Sequence, residues 1–360
     1  MNMLKYLFSK LAYSALVIIG VVIVVFFLFN VLPGDPARMM LGQRADISSI
    51  DAVNRELGRD LPLPKQFALY ANDLSPISIH DFVNENSRLY YTIDKYGACN
   101  KICTIGSRSI VLKLPYLRRS YQSQQLVTEI LIDALPGTII LALTSLIFAA
   151  IVGISLGIWS ATHYQQFSDK LNLIISVLGM SVPSFFAGIL IAWFFGFVID
   201  DYTGLNMTGS LYKIDPFKGE IIEWKNLILP AFTLGIRPLA VFTQLTRSSM
   251  LEVLAMDYVR TAKAKGLSPR LVLFRHALRN AMNPVITAIS GWLGSLLAGA
   301  VFIEYIFGWK GVGKVTVDAL EHYDLPVVMG SVLMVASFFV IINILVDLIY
   351  AWLDPRVSIS

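Results

Sequence analysis

Charge is what this sequence lacks most. Asp, Glu, Lys and Arg make up 15% of its 360 residues, against 56% hydrophobic residues. Length alone would allow two or three soluble domains, but a soluble domain carries about a quarter charged residues. The charged groups left over cannot cover surfaces of that size, so composition excludes a soluble multidomain protein. Two cysteines and four histidines, scattered along the chain, give no ligand cluster of recognisable spacing and exclude a metal centre built on them. A GxxxxGK[ST] phosphate loop is missing too, so the chain has no such means of binding nucleotide for itself. The formal charge of +4 is small and its cations gather in a few segments, which gives no support to nucleic-acid binding.

What the sequence does have is long uncharged runs. Lys5 and Lys10 precede an apolar run over residues 11–33, long enough for a bilayer core of about 30 Å. It lacks the short core and small-residue cleavage site of a signal peptide, and reads as a retained first span with the N-terminus inside. Further spans are expected over residues 134–162, 171–199, 226–246, 280–303 and 325–346. The fourth is expected to be interrupted at Arg237-Pro238. The fifth carries small residues over 290–300 that let helices approach closely. Six spans return the C-terminus to the cytoplasm, where residues 354–360 form a tail. The fold class is all-α and polytopic.

Residues 34–128 are too long and polar for a simple connection and belong outside the membrane. Pro33-Gly34-Asp35-Pro36 stops the first helix. Residues 45–70 read as helical with a break at Leu61-Pro62-Leu63-Pro64, and residues 78–113 as an irregular small external subdomain with β-branched pieces. It holds Cys99 and Cys103; an oxidising compartment permits a bridge, and the thiols could equally stay reduced.

One polar stretch, residues 247–284, sits between two apolar ones. Arg247, Arg260, Lys263, Lys265, Arg270, Arg275 and Arg279 outweigh Glu252 and Asp257, so it reads as a cytoplasmic loop in water. Residues 257–265 favour helix, Gly266 suits a left-handed stop, and Ser268 with Pro269 opens a second helix. On that helix Leu271, Phe274 and Leu278 form an apolar stripe beside a basic face, fit either for a partner or for a solvated loop helix.

Polar groups inside spans point to a route through the membrane. Arg237 and Gln244 in span four face such a route, or Arg237 pairs with a carboxylate or snorkels beside Pro238. Ser181, Pro183 and Ser184 mark a kink in span three. Glu304 and Asp347, at span ends, are explained by interfacial solvation.

Several ordered stretches resemble the B-type integral membrane subunit of peptide-type ABC importers, the dipeptide/oligopeptide/nickel permease family. They are Leu32-Pro33-Gly34-Asp35-Pro36-Ala37 with Leu57-Gly58-Arg59-Asp60-Leu61-Pro62, then Leu245 through Leu254 running into Asp257-Tyr258-Val259-Arg260-Thr261-Ala262-Lys263-Ala264-Lys265-Gly266-Leu267 and Arg275-His276-Ala277-Leu278-Arg279-Asn280-Ala281. Glu304, Phe307, Gly311, Gly313 and Asp324 follow, closing on Asp354-Pro355-Arg356. The likeness covers residues 1–70 and 114–358, and residues 78–113 depart from it.

The resemblance implies a type I importer permease fold whose residues 257–267 form a coupling helix docking on an ATPase. Arg260 and Thr261 replace the Glu and first Ala of the general importer pattern, so the carried-over role rests on Ala262 and Gly266. It implies a second related permease subunit, two cytoplasmic ATPases that bind the ATP and Mg, an external solute-binding protein, and alternating access in a bacterial inner membrane. The expected function is a transport subunit, not an enzyme, carrying peptides, with nickel or another small solute as alternatives. A secondary transporter would need a midplane ion site on repeated broken helices, and a membrane hydrolase an intramembrane His or Asp beside a Ser.

Overall fold

The computed structural model describes residues 3–31, 54, 58, 60–217 and 219–353. The Leu32 to Ala37 motif, Leu57, Arg59, most of residues 45–59 of the helix expected over residues 45–70, and Asp354-Pro355-Arg356 lie outside them. In chain order come α1 (Met3–Val31), α2 (Leu63–Leu74), β1 (Ile77–Asp81), β2 (Cys99–Ile105), β3 (Arg108–Lys113), α3 (Val127–Thr162), α4 (Phe167–Ser181) and α5 (Ser184–Trp193). Then follow β4 (Tyr212–Asp215), β5 (Gly219–Ile222), α6 (Lys225–Leu254), α7 (Asp257–Ala264), α8 (Arg279–Ile306), α9 (Val312–Glu321) and α10 (Leu325–Leu353). Among the described residues five helices are long and apolar enough to cross a membrane, and six if the bent α4–α5 pair makes one span.

Two compact units emerge, Met1–Asp133 with Val315–Ser337, and Ala134–Lys314 with Phe338–Ser360. In the first, α1 turns Leu11, Leu16, Ile19 and Val24 outward, as a span does in lipid. Its buried edge, Val25 and Phe26, packs with Tyr70 of α2 and Met329 and Leu333 of α10. Helix α2 starts where the prolines end, with Pro62 as its cap and Pro64 in its first turn, where a missing N–H costs nothing.

The expected external subdomain is a three-stranded antiparallel sheet of order β1-β3-β2, with Ile79 opposite Ile110 and Cys103 opposite Ile110 on the other side. Val111 and His80 are fully buried, and the His80 ring packs against Tyr91 and Tyr96. Cys99 and Cys103 are free thiols on one strand. Four residues of strand span about 13 Å, beyond the roughly 7 Å limit for bridged Cα atoms, so this strand geometry excludes the bridge. Across the same unit the Asp324 carboxylate accepts the N–H of Tyr121 at 2.9 Å and the Ser120 hydroxyl, clasping two loops.

In the second unit three expectations need correction. Span four is one helix, α6, running unbroken through Pro230 and Pro238. Proline removes one bond of the ladder, but Leu234, Pro238 and Ala240 are packed in the core and hold the helix continuous. Span three, in contrast, is not merely kinked. Helices α4 and α5 meet at 108°, because both Val182 (ψ 129°) and Pro183 (ψ 134°) leave the helical region. Third, the small residues of 290–300 are only partly used within this chain. Gly294 faces Phe339, whereas nothing lies within 4 Å of a Cβ built at Gly291 or Gly299. A close helix approach is made elsewhere, at Gly157 of α3, where a Cβ would sit 2.5 Å from Thr246 Cβ and 2.7 Å from the Thr243 carbonyl of α6. The β4–β5 hairpin before α6 had no counterpart in the sequence reading.

Candidate coupling site and membrane polar groups

The hairpin begins where α6 ends. Met256 is extended and caps α7. The helix stops at Gly266, whose φ of +76° is the left-handed conformation expected there. The Gly266 N–H donates to Lys263 O at 3.0 Å and the Leu267 N–H to Ala262 O at 3.4 Å, the paired bonds that satisfy a helix C-terminus. No heavy atom lies within 4 Å of a Cβ added at Gly266, so the demand for glycine is conformational rather than steric. Ser268 Oγ then accepts the Leu271 N–H, with Pro269 at the first position.

The second helix is not a separate short piece. It passes through a π-helical stretch, Val272–Leu278, directly into α8, so the hairpin shares one rod with span five. Its inner face is Val272, Ala277 and Ala281, which pack with Met250, Val253, Val259, Ala262 and with Ala161 of α3. Leu271 and Phe274 point outward, at 37% and 56% exposure, while Leu278 packs against the core. Ala262 is buried too. Its small side chain therefore serves packing inside the hairpin, not approach to a partner. The outward face carries Asp257, Tyr258, Arg260, Thr261, Lys263, Ala264, Lys265 and Gly266, with Leu267 half-buried. Arg260 is 3.4 Å from Asp257, an exposed pair of little energetic weight. The Tyr258 hydroxyl accepts Asn280 Nδ2 at 2.7 Å, tying α7 to α8.

Arg247 is not the solvated cation the charge pattern suggests. Its Nε donates to Asp169 Oδ1 at 2.6 Å and its Nη to Oδ2 at 2.8 Å. Ser160 Oγ and the Gln165 N–H fill the other acceptor positions of the same carboxylate. Asp169 is 1% exposed, so this bidentate pair replaces the water both ions have lost. Asp169 is not announced by its neighbours, because its partner lies 78 residues away; the acid in the first turn of α4 is the local signal for it.

Arg237 has the opposite surroundings. It is exposed on α6, and among the described residues no carboxylate pairs with it. Gln244, two turns on, is half-buried. The bend of the α4–α5 pair lies against the same part of α6, since a Cβ on Gly179 would be 3.1 Å from Ile236. Ser181 and Pro183 are exposed there and Ser184 is half-buried, but the Ser181 hydroxyl donates to Val177 O at 2.8 Å within its own helix. Glu304 corrects the solvation account. It is fully buried, and its Oε2 accepts the N–H of Gly313 (2.7 Å) and Lys314 (3.1 Å) at the start of α9. That is a carboxylate at a helix N-terminus, stabilised by the unpaired amides and the dipole. Asp347 is half-buried, and α10 continues beyond it.

The chain belongs to the family described as the inner membrane component of binding-protein-dependent transport systems. That model matches residues 153–359, and the N-terminal model of the same kind of component matches residues 3–85. Among its relatives is the dipeptide transport system permease protein of Alkalihalophilus pseudofirmus, 33% identical over 99% of this chain and 100% of that one. The di/tripeptide transport system permease protein of Pseudomonas aeruginosa is 32% identical over 99% of each chain. So is the glutathione transport system permease protein of Salmonella paratyphi A, again over 99% of each. The chain is thus a multi-pass inner membrane permease of an ABC importer, not an enzyme. It works with a partner ATPase, which hydrolyses ATP, and a substrate-binding protein.

Proposed function

We propose that the chain passes short peptides across the membrane as one of two related permease subunits, with both termini in the cytoplasm and two ATPases beneath them holding the ATP and Mg. The observation that carries this reading is the hairpin. Its inner face is fixed to α3, α6 and α8 by a buried apolar core, while its outer face is basic and exposed. An element built in that way passes a push on its surface to the spans as a rigid-body movement, and cations on it pair with acids on the ATPase. Alternating access follows when nucleotide draws two such hairpins together. The peptide cargo is supported by the dipeptide and di/tripeptide relatives.

On this reading Arg237, exposed on α6 and without a carboxylate partner among the described residues, meets the cargo's carboxylate, and the bend at Ser181, Pro183 and Ser184 beside it, with Gln244, lines the same route. The sheet of residues 77–113 receives the binding protein.

The test is reconstitution of the chain with its second permease subunit and ATPases in vesicles, with binding protein and a labelled dipeptide outside. ATP-dependent accumulation is expected. Accumulation driven by an ion gradient without ATP would replace this mechanism with a secondary transporter, and uptake of a nickel chelate in place of dipeptide would replace the cargo.

A further inference from the structure

The coupling hairpin is not alone at its end of the second unit. The turn between α3 and α4, residues 163–166, is fixed to it at several independent points. Ala161, in the last turn of α3, is part of the hairpin's own core. Gly157, one turn earlier, brings the backbone of α3 against Thr243 and Thr246 of α6. Asp169, just past the turn, holds Arg247 bidentately. The Arg247 guanidinium also lies 5.4 Å from the Tyr164 ring centroid, a cation–π contact that reaches the turn itself.

The turn is internally fixed as well. Gln165 adopts φ +64°, uncommon for a residue with a side chain, and its N–H is spent on Asp169 Oδ2 at 2.9 Å. Trp159 and His163 stack at 4.4 Å on the preceding turn. This ordered segment nevertheless presents Phe167 at 80% exposure and Tyr164 at 52%. Gln165, Gln166 and Lys170 are exposed around them. A large aromatic ringed by polar groups on a rigid support has the composition of an interface anchor. Bilayer headgroups also take aromatics flanked by polar groups; what assigns this segment to the ATPase is its attachment to the hairpin through Ala161 and the Asp169–Arg247 pair.

We propose that this α3–α4 turn is a second docking element for the ATPase subunit, with Phe167 as its anchor, and that the Asp169–Arg247 pair holds it in register with the coupling hairpin. The inference rests on the hairpin's role proposed above. It adds that the ATPase reads a composite surface, so a push on either part moves both. Asp169 and Arg247 are then positioning residues that touch neither nucleotide nor cargo.

Photo-crosslinking from single cysteines tests this in the full complex. With Cys99→Ser and Cys103→Ser removing the native thiols, Lys263→Cys reports the hairpin and Phe167→Cys the turn, each labelled with a benzophenone maleimide. Both are expected to give an adduct with the ATPase. Adding Asp169→Asn should lower the Phe167→Cys adduct several-fold and leave the Lys263→Cys adduct in place. If Asp169→Asn prevents assembly, Arg247→Lys, which keeps the charge and loses the planar fork, serves that arm. As a separate readout, Phe167→Ser should weaken ATPase binding to the membrane part about tenfold. An ATPase adduct from position 263 with only lipid adducts from position 167 overturns the docking element while sparing the hairpin. Adducts from both positions that are unmoved by Asp169→Asn or Arg247→Lys overturn the positioning role. No ATPase adduct from either position removes the hairpin reading, and this inference with it.

Discussion

Arg237 and Arg247 lie ten residues apart on one helix, α6, and the structure gives them opposite fates. By charge pattern Arg247 belongs to a loop in water and Arg237 is the anomaly inside the membrane that needs a partner. In the fold it is Arg247 that is paired, held by a carboxylate 1% exposed to solvent, and Arg237 that stands exposed without one among the described residues. The difference separates two uses of the same side chain. A guanidinium with its carboxylate fixes geometry; one without is free for a ligand.

Removing one member of a buried pair strands the other, at about 3–5 kcal/mol. Asp169→Asn or Arg247→Met should therefore produce the largest loss of stability in the chain, read as assembled yield and thermal unfolding in detergent. A loss no greater than that of Arg237→Met would erase the contrast. Glu304→Gln extends the comparison to a carboxylate whose partner is a helix terminus rather than a cation. Keeping the shape and losing the charge should cost about 1–3 kcal/mol by the same unfolding measurement.

The three-stranded sheet supplies a smaller effect, set by pH. Burial and the nearby Lys113 hold the His80 imidazole below its usual range. Below about pH 6.5 the unfolded segment takes up a proton before the folded one does. Stability present above that pH is therefore lost as pH falls toward the folded value. Hydrogen exchange of the β1 and β3 amides, corrected for intrinsic rates, should accelerate between pH 7 and pH 5, and His80→Gln should flatten that slope. Smallest of all in stability is Arg237→Met, expected within about 0.5 kcal/mol of the parent because the side chain is exposed and loses no ion pair among the described residues. Its consequence belongs to uptake: transport of a peptide with a free carboxylate should fall per assembled complex, and Arg237→Lys should restore most of it. Unchanged uptake in the Met variant would make Arg237 a bystander.

The hairpin was legible in the sequence because its signals are local. Gly266, Ser268 and Pro269 act within a few residues of themselves, and the structure places a left-handed stop, a side-chain cap and a helix start at those positions. The spans were legible because lipid demands long apolar helices. What remained hidden depends on neighbours remote in the chain. Nothing beside Arg247 announces Asp169, and nothing beside Ala262 says that it faces inward. Whether a proline in a span bends it or breaks it is decided by packing. Pro238, seated in a core, leaves α6 straight enough to continue; Pro183, exposed after an extended Val182, turns the chain by 108°.

The hairpin is the element proposed to couple ATP hydrolysis to the spans, and Gly266 is where it can be altered with least damage elsewhere. A Cβ at Gly266 meets no neighbouring atom, so the cost of Gly266→Val, about 1 kcal/mol or more, falls chiefly on the left-handed joint. The measurement is ATP hydrolysis by the assembled complex with and without cargo-loaded binding protein. The account predicts that the variant assembles and keeps its basal hydrolysis but loses stimulation; full stimulation would contradict it.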